Sequence, residues 1–164
     1  MDGIFATTPQ QLEEITASIR DAGKFVFDLE FVLEGRYVPE LGLVQVAWGN
    51  DQEPKLAAID PLEVDIRPFV ELVADEQIET IVHAAQADLA LLAGHYDIRG
   101  ASLYDTQIAA AFIGYGDQIG YAALVERMIG IRLRKGSQYT EWLRRPLSDQ
   151  QISYAFDDVT SSNA

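Results

Sequence analysis

Asp28 and Glu30 stand two residues apart in the run FVFDLEF at 25–31, whose aromatic and β-branched density reads as a strand. Strand alternation places both carboxylates on one face and Phe27, Leu29 and Phe31 on the other, toward apolar packing. Two neighbouring carboxylates beside a core are costly unless water or a cation compensates them. Asp88 follows the apolar run 78–82 and opens a helical stretch. That is the carboxyl end of a strand, where open α/β sheets take their ligands. Tyr154 and Asp158 are four residues apart on the last helical stretch, so they share a face about one turn apart, with Asp157 turned elsewhere. Each feature has an ordinary explanation taken singly: a half-exposed strand face, a first-turn acid favoured by the helix dipole, an aromatic on an amphipathic helix. Together they amount to four carboxylates and a phenol, groups able to hold hard divalent cations and position a water.

The remaining composition narrows the chemistry in the same direction. With no cysteine, thiolate catalysis, disulfides and cysteine metal sites are excluded, and two histidines, His83 and His95, leave little for a histidine-rich zinc site. Any metal is held mainly by oxygen, which favours Mg²⁺ or Mn²⁺. The formal net charge of −14 opposes a general positive field for nucleic acid. Its basic residues are unevenly spread, however: Arg127, Arg132, Arg134, Lys135, Arg144 and Arg145 fall between 127 and 145, where Glu141 is the only acid. This segment reads either as a local basic face, with Arg144 and Arg145 as candidate substrate contacts, or as a solvated loop and helix end.

The elements that must position these groups can be read in order. Thr8-Pro9-Gln10-Gln11 combines an N-cap, a proline at the first helical position and a capping-box glutamine, and Leu12, Ile15 and Ile19 follow at helical spacing up to about Gly23. The strand at 25–31 is followed by apolar runs at 43–48, 56–59 and 78–82, with Gly49-Asn50-Asp51 as a turn between the first two of these. From Gln86 the spacing turns helical through Leu89, Leu92, Leu103, Ile108, Ala111, Phe112, Tyr121, Leu124, Val125 and Met128. Ser148 and Gln151 repeat the capping box before a last helix from about 149 to 160. The pattern predicts an α/β fold with a mixed central β-sheet flanked by α-helices and a helix-rich C-terminal half. The 164 residues suit a single domain, 1–164, burying roughly 70% of its unfolded surface. The longest unbroken apolar run, 108–113, is too short to cross a bilayer, and the N-terminus shows no targeting pattern. A soluble cytoplasmic protein without membrane contact is expected.

The order Asp-x-Glu, then an Asp soon after a buried strand, then Tyr-x-x-x-Asp on a final helix resembles the DEDD exonucleases in their tyrosine-bearing subgroup. The stretches FDLEF, VPELGLVQ, IDPL, VHAAQADL, DTQIAAAF and EWLRRPLSDQQISYAFDDV resemble ribonuclease D in order and without large gaps, over about 25–160. The resemblance implies a ribonuclease H-like fold and a metal-dependent 3′→5′ exonuclease that releases nucleoside 5′-monophosphates from single-stranded 3′ ends, RNA rather than DNA. It also implies two divalent cations, Mg²⁺ or Mn²⁺, about 4 Å apart. On that resemblance Asp28 would bridge them, Glu30 and Asp158 would hold the one that activates the attacking water, Asp88 would serve the other through a separate water, and Tyr154 would orient or help deprotonate the attacking water.

Other positions carry weaker expectations. His83 is expected to be hydrogen-bonded at a strand end or to line the cleft, and His95 to be structural or exposed. Asp105 reads as a helix N-cap with Ile108 and Phe112 packing behind it. Phe31 either packs beside the terminal nucleotide, since aromatic stacking accepts any base, or belongs to the core. Leu29 stands where ribonuclease D most often has threonine, and Glu141 alters the lead into Trp142. With SSNA closing the sequence six residues after Asp158, the helical nucleic-acid-binding domain that follows in full-length ribonuclease D is expected to be lacking. Apolar surface exposed near the last helix could then drive homo-oligomerisation. Two other functions stay open: a proofreading or repair-type exodeoxyribonuclease using the same residues, and a non-catalytic nucleic-acid-binding module of the same fold.

Overall fold

The computed structural model of the chain describes residues 3–33, 35, 38–50, 52–132 and 141–160. Arg134, Lys135 and the tail at 161–164 lie outside the described residues. Thr8 forms the expected capping box: its hydroxyl accepts from the Gln11 N–H at 3.3 Å, and Gln11 Oε1 accepts from the Thr8 N–H at 3.1 Å. Helix α1 (Pro9–Ala22) buries Leu12, Ile15 and Ile19 and stops at Gly23, whose φ of 72° is the left-handed cap that a side chain opposes.

Strands β1 (Ile4–Ala6), β2 (Lys24–Val32), β3 (Glu40–Asn50), β4 (Glu53–Ile59), β5 (Glu79–Val82) and β6 (Leu103–Asp105) make one sheet in the order β1-β4-β3-β2-β5-β6. β2, β3 and β4 form an antiparallel meander, whereas β1, β5 and β6 run parallel to the neighbours they pair with. The sheet is therefore mixed, as its hairpin-then-helix pattern predicts. Helices α2 (Arg67–Val73), α3 (Gln86–Tyr96), α4 (Thr106–Phe112), α5 (Tyr121–Ile129) and α6 (Asp149–Thr160) complete the described elements.

The period of two along β2 sorts its side chains into two cores. Phe25, Phe27 and Leu29 pack with Leu12, Ile15 and Ile19 of α1 and with Phe69 and Leu72 of α2. Phe27 meets Phe69 edge to face, with ring centroids 5.4 Å apart. Val26 faces the other way, with Leu43 and Ala47 of β3, Leu56 and Ala58 of β4, and Ala155, Phe156 and Val159 of α6. Each large buried apolar side chain contributes about 1.5–3 kcal/mol, so these two layers hold the sheet between α1 and α6 while Asp28 and Glu30 stay at its working face.

Several details differ from the sequence pattern. β1 and α2, three and seven residues long, are too short to show a period. Leu103 belongs to edge strand β6 rather than to a helix; its pairing with Thr80 decides its conformation. Ile108 and Phe112 are 59% and 88% exposed, so they do not pack behind Asp105. Ala155, Phe156 and Val159 of α6 are buried, and Ile152 and Tyr154 are partly so. The exposed apolar side chains gather instead on β6, α4 and the end of α5, among them Tyr104, Ile113 and Met128. Among the described residues, no helix is long and apolar enough to cross a membrane.

Candidate metal centre

Glu30 pairs with Leu43 and the next residue, Phe31, with Leu41, so β3 carries one extra residue, Gly42, in a bulge beside the acidic strand. A Cβ on Gly42 would lie 2.6 Å from Trp142 Cβ and 2.8 Å from the Trp142 carbonyl oxygen. Only glycine lets the segment leading into α6 approach this closely. Arg145 locks that approach. Its Nε and Nη2 donate to both oxygens of the buried Asp60 at 2.6 and 2.7 Å, Nη2 also donates to the Gly42 carbonyl at 2.7 Å, and Nη1 donates to the Trp142 and Arg144 carbonyls at 2.7 and 3.0 Å. Ser148 then caps α6, accepting from the Gln151 N–H at 3.2 Å, and Gln151 Oε1 accepts from the Ser148 N–H at 2.9 Å. With its start fixed to β3 and β4, α6 presents Tyr154 and Asp158 toward β2.

As a result, oxygen atoms of Asp28, Glu30 and Asp158 all lie within 4.8 Å of one another. Tyr154 is hydrogen-bonded to Asp158, and its ring lies 6.2 Å from that of Trp142. Asp88 stands outside this triad in the first turn of α3, near enough for its charge to act on both Asp28 and Glu30. The turn that delivers Asp88 is strained at Ala84, whose φ is 55°, and Asp105 holds it by accepting from the Ala84 and Ala85 N–H groups at 3.1 and 3.4 Å. Asp105 also caps α4 through the Gln107 N–H at 2.8 Å, as its place in the sequence predicts.

Burial, and then the neighbouring carboxylates, push Asp28 up to about 8 and Glu30 up to about 9. Burial raises Asp88 and Asp158 to about 6, with the Tyr154 hydrogen bond opposing the rise at Asp158. The Tyr154 phenol is likewise raised by burial and by the carboxylates around it, so it remains a hydroxyl donor. An all-oxygen cluster that resists carrying its own negative charge fits hard divalent cations, whose charge reverses that resistance.

Beside the triad, a cavity of about 200 Å³ is lined by Asp28, Asp158, His83, Tyr121 and Phe27. His83 sits at the end of β5 with Nδ1 2.9 Å from Thr106 Oγ1 and Nε2 3.1 Å from the Ile119 carbonyl, hydrogen-bonded and lining the cleft. Burial lowers its pKa, which keeps the ring neutral. Tyr121 was not singled out by its spacing, because the helical period of α5 marks it only as an amphipathic residue. Its edge-to-face contact with His83, at 5.5 Å, is what brings it to the cavity.

The other candidates are placed differently. Phe31 is half-buried against the core that holds Phe27 and Leu29. Arg144 is exposed and pairs with Glu141 at 3.3 Å. Arg145, expected as a substrate contact, has all five N–H donors committed within the protein, which makes it a structural staple. Arg127 lies over the Tyr115 ring and Arg132 pairs with Glu126 at 2.7 Å, so the described part of the basic segment is largely spent on internal partners. His95 is exposed, with Nε2 3.0 Å from the Pro39 carbonyl.

A mixed sheet flanked by helices, with three carboxylates and a phenol gathered at its central strands, defines an acidic centre on a ribonuclease H-like scaffold. The 3′-5′ exonuclease family matches residues 4–161, and the chain belongs to that family. It is 41% identical over 160 residues to a ribonuclease D of Sphingobium indicum and 41% identical over 157 residues to one of Zymomonas mobilis, covering 94% of this chain and 39% of each relative. The chain thus spans about two fifths of the length of these curated relatives. Among solved structures, Escherichia coli RNase D, described as an exoribonuclease involved in structured RNA processing, superposes with a TM-score of 0.89 at 35% identity, over 98% of this chain and 42% of that one.

Proposed function

We propose that the chain is a metal-dependent 3′→5′ exoribonuclease that hydrolyses the terminal phosphodiester of single-stranded RNA and releases nucleoside 5′-monophosphates. The observation that carries this reading is the convergence of Asp28, Glu30 and Asp158 within 4.8 Å, with Asp88 beside them and Tyr154 bonded to Asp158. Asp28, Glu30, Asp88 and Asp158 would hold two cations, Mg²⁺ or Mn²⁺. When bound, such cations supply Lewis-acid stabilisation of the charge that builds on the attacking and leaving oxygens. Tyr154, kept protonated with its one hydroxyl proton donated to Asp158, offers its phenol oxygen as an acceptor that fixes the direction of the attacking water rather than removing its proton. His83 and Tyr121 wall the cavity beside Asp28, where the end of the substrate would enter. The preference for RNA is supported by ribonuclease D being the name of the relatives.

Incubating the protein with a labelled single-stranded ribo-oligonucleotide and Mn²⁺, beside Asp28→Ala, tests this. Stepwise mononucleotide release from the 3′ end, lost in the variant, is expected. Release at equal rate from the matched deoxyribo-oligonucleotide would move the reading to an exodeoxyribonuclease, and no metal-dependent release would leave a binding module.

A further inference from the structure

Strand β3 is apolar along its buried length except at Gln45, which is 0% exposed. Register sets Gln45 opposite Asp28 on β2 and opposite Ala58 on β4, so it shares the sheet face that α6 covers. Among the described residues, neither its Nε2 nor its Oε1 has a hydrogen-bond partner. A buried amide left in that condition is costly, and an apolar residue of similar volume would fit a position flanked by Leu43 and Ala47 at lower cost. Directly opposite residues of an antiparallel pair have Cβ atoms about 5 Å apart, so the Gln45 amide, two bonds beyond its Cβ, is within reach of the Asp28 carboxylate. An ionised carboxylate offers about four acceptor sites and keeps one for a donor while its others face cations. Such outer hydrogen bonds fix the orientation of a ligand.

We propose that Gln45 is a positioning residue of the candidate metal centre: its Nε2, unpartnered in the structure, turns to donate to the Asp28 carboxylate when that carboxylate is ionised against divalent cations, and so fixes the direction in which Asp28 presents its oxygens to them. This rests on the reading of Asp28, Glu30 and Asp158 as metal ligands. It gives a role to the polar side chain at the position of β3 directly opposite the central carboxylate.

Gln45→Met keeps the volume and removes the amide. Thr80→Val is the control: Thr80 is also fully buried with an unpartnered hydroxyl, but it pairs in register with Phe25, on the other side of the sheet. Melting temperature is followed against Mn²⁺ concentration for wild type and both variants, with kcat and KM on a ribo-oligonucleotide measured alongside. For Gln45→Met the metal-free protein melts no lower than wild type, its Mn²⁺ midpoint rises about 10–100-fold, and kcat falls while KM is unchanged. Thr80→Val leaves the Mn²⁺ midpoint and kcat where they are. A wild-type Mn²⁺ midpoint in Gln45→Met overturns the proposal. If Gln45→Met melts without cooperativity, Gln45→Asn, whose shorter amide falls short of Asp28, carries the same comparison. A wild-type protein that ignores Mn²⁺ altogether sinks the metal reading itself, an outcome distinct from failure at Gln45 alone.

Discussion

Loading the candidate centre with Mn²⁺ should expel protons, and the number follows from the site. Treated as independent groups at pH 7, Asp28 near 8 and Glu30 near 9 are roughly 0.9 and 1.0 protonated, while Asp88 and Asp158 near 6 hold roughly 0.1 each. Cation binding needs the carboxylates ionised, so saturation at pH 7 releases about two protons, falling to about 0.6 at pH 9. Calorimetric titration with Mn²⁺ in two buffers of different ionisation enthalpy counts them directly. The same shifts set the stability of the metal-free protein. All four folded values lie above the unfolded ones near 4, so the folded state holds more protons than the unfolded chain between about pH 4 and 9. Stability is therefore greatest below about pH 4 as far as these groups decide it, and is lost as pH rises through their folded values. Cations reverse the trend: at a concentration of about 100 times Kd they add about 2.7 kcal/mol, which is several degrees in Tm for a chain of this size. Release of fewer than about half a proton at pH 7, or a Mn²⁺ midpoint that does not tighten between pH 6 and 8, would refute the assignment of these carboxylates to one cation-binding cluster.

Three further outcomes follow from particular contacts. Arg145→Met leaves the buried Asp60 carboxylate unpaired and should cost about 3–5 kcal/mol in a urea titration; a loss of under about 1 kcal/mol would mean that the pair is not what anchors α6. Gly42→Ala forces Trp142 away from β3, so about 1–3 kcal/mol of stability should go and the Mn²⁺ midpoint should rise with it, both read from metal-dependent melting. Tyr154→Phe removes the hydroxyl bonded to Asp158. Its kcat on a ribo-oligonucleotide should fall about 100-fold or more with KM and the Mn²⁺-induced Tm shift nearly unchanged, and a wild-type kcat would remove Tyr154 from the chemistry.

The reach of the sequence ended where local order ended. Alternation along β2 was enough to set Asp28 and Glu30 on one face against Phe27 and Leu29, because a strand's period of two is a property of the backbone. The four-residue step from Tyr154 to Asp158, and the capping boxes at Thr8 and Ser148, were legible for the same reason: their partners lie within one helical turn. Tertiary structure decided the rest. Nothing local marks Gly42 as a bulge, Arg145 as a staple to Asp60 85 residues away, or Gln45 as the amide facing Asp28. It likewise decided that Ile108 and Phe112, helical in spacing, face solvent, because a period shows which side chains share a face but not what covers that face. The identity of the acidic residues was written in the chain. Their meeting within 4.8 Å depends on a close approach of α6 to β3 that glycine permits and a buried ion pair holds.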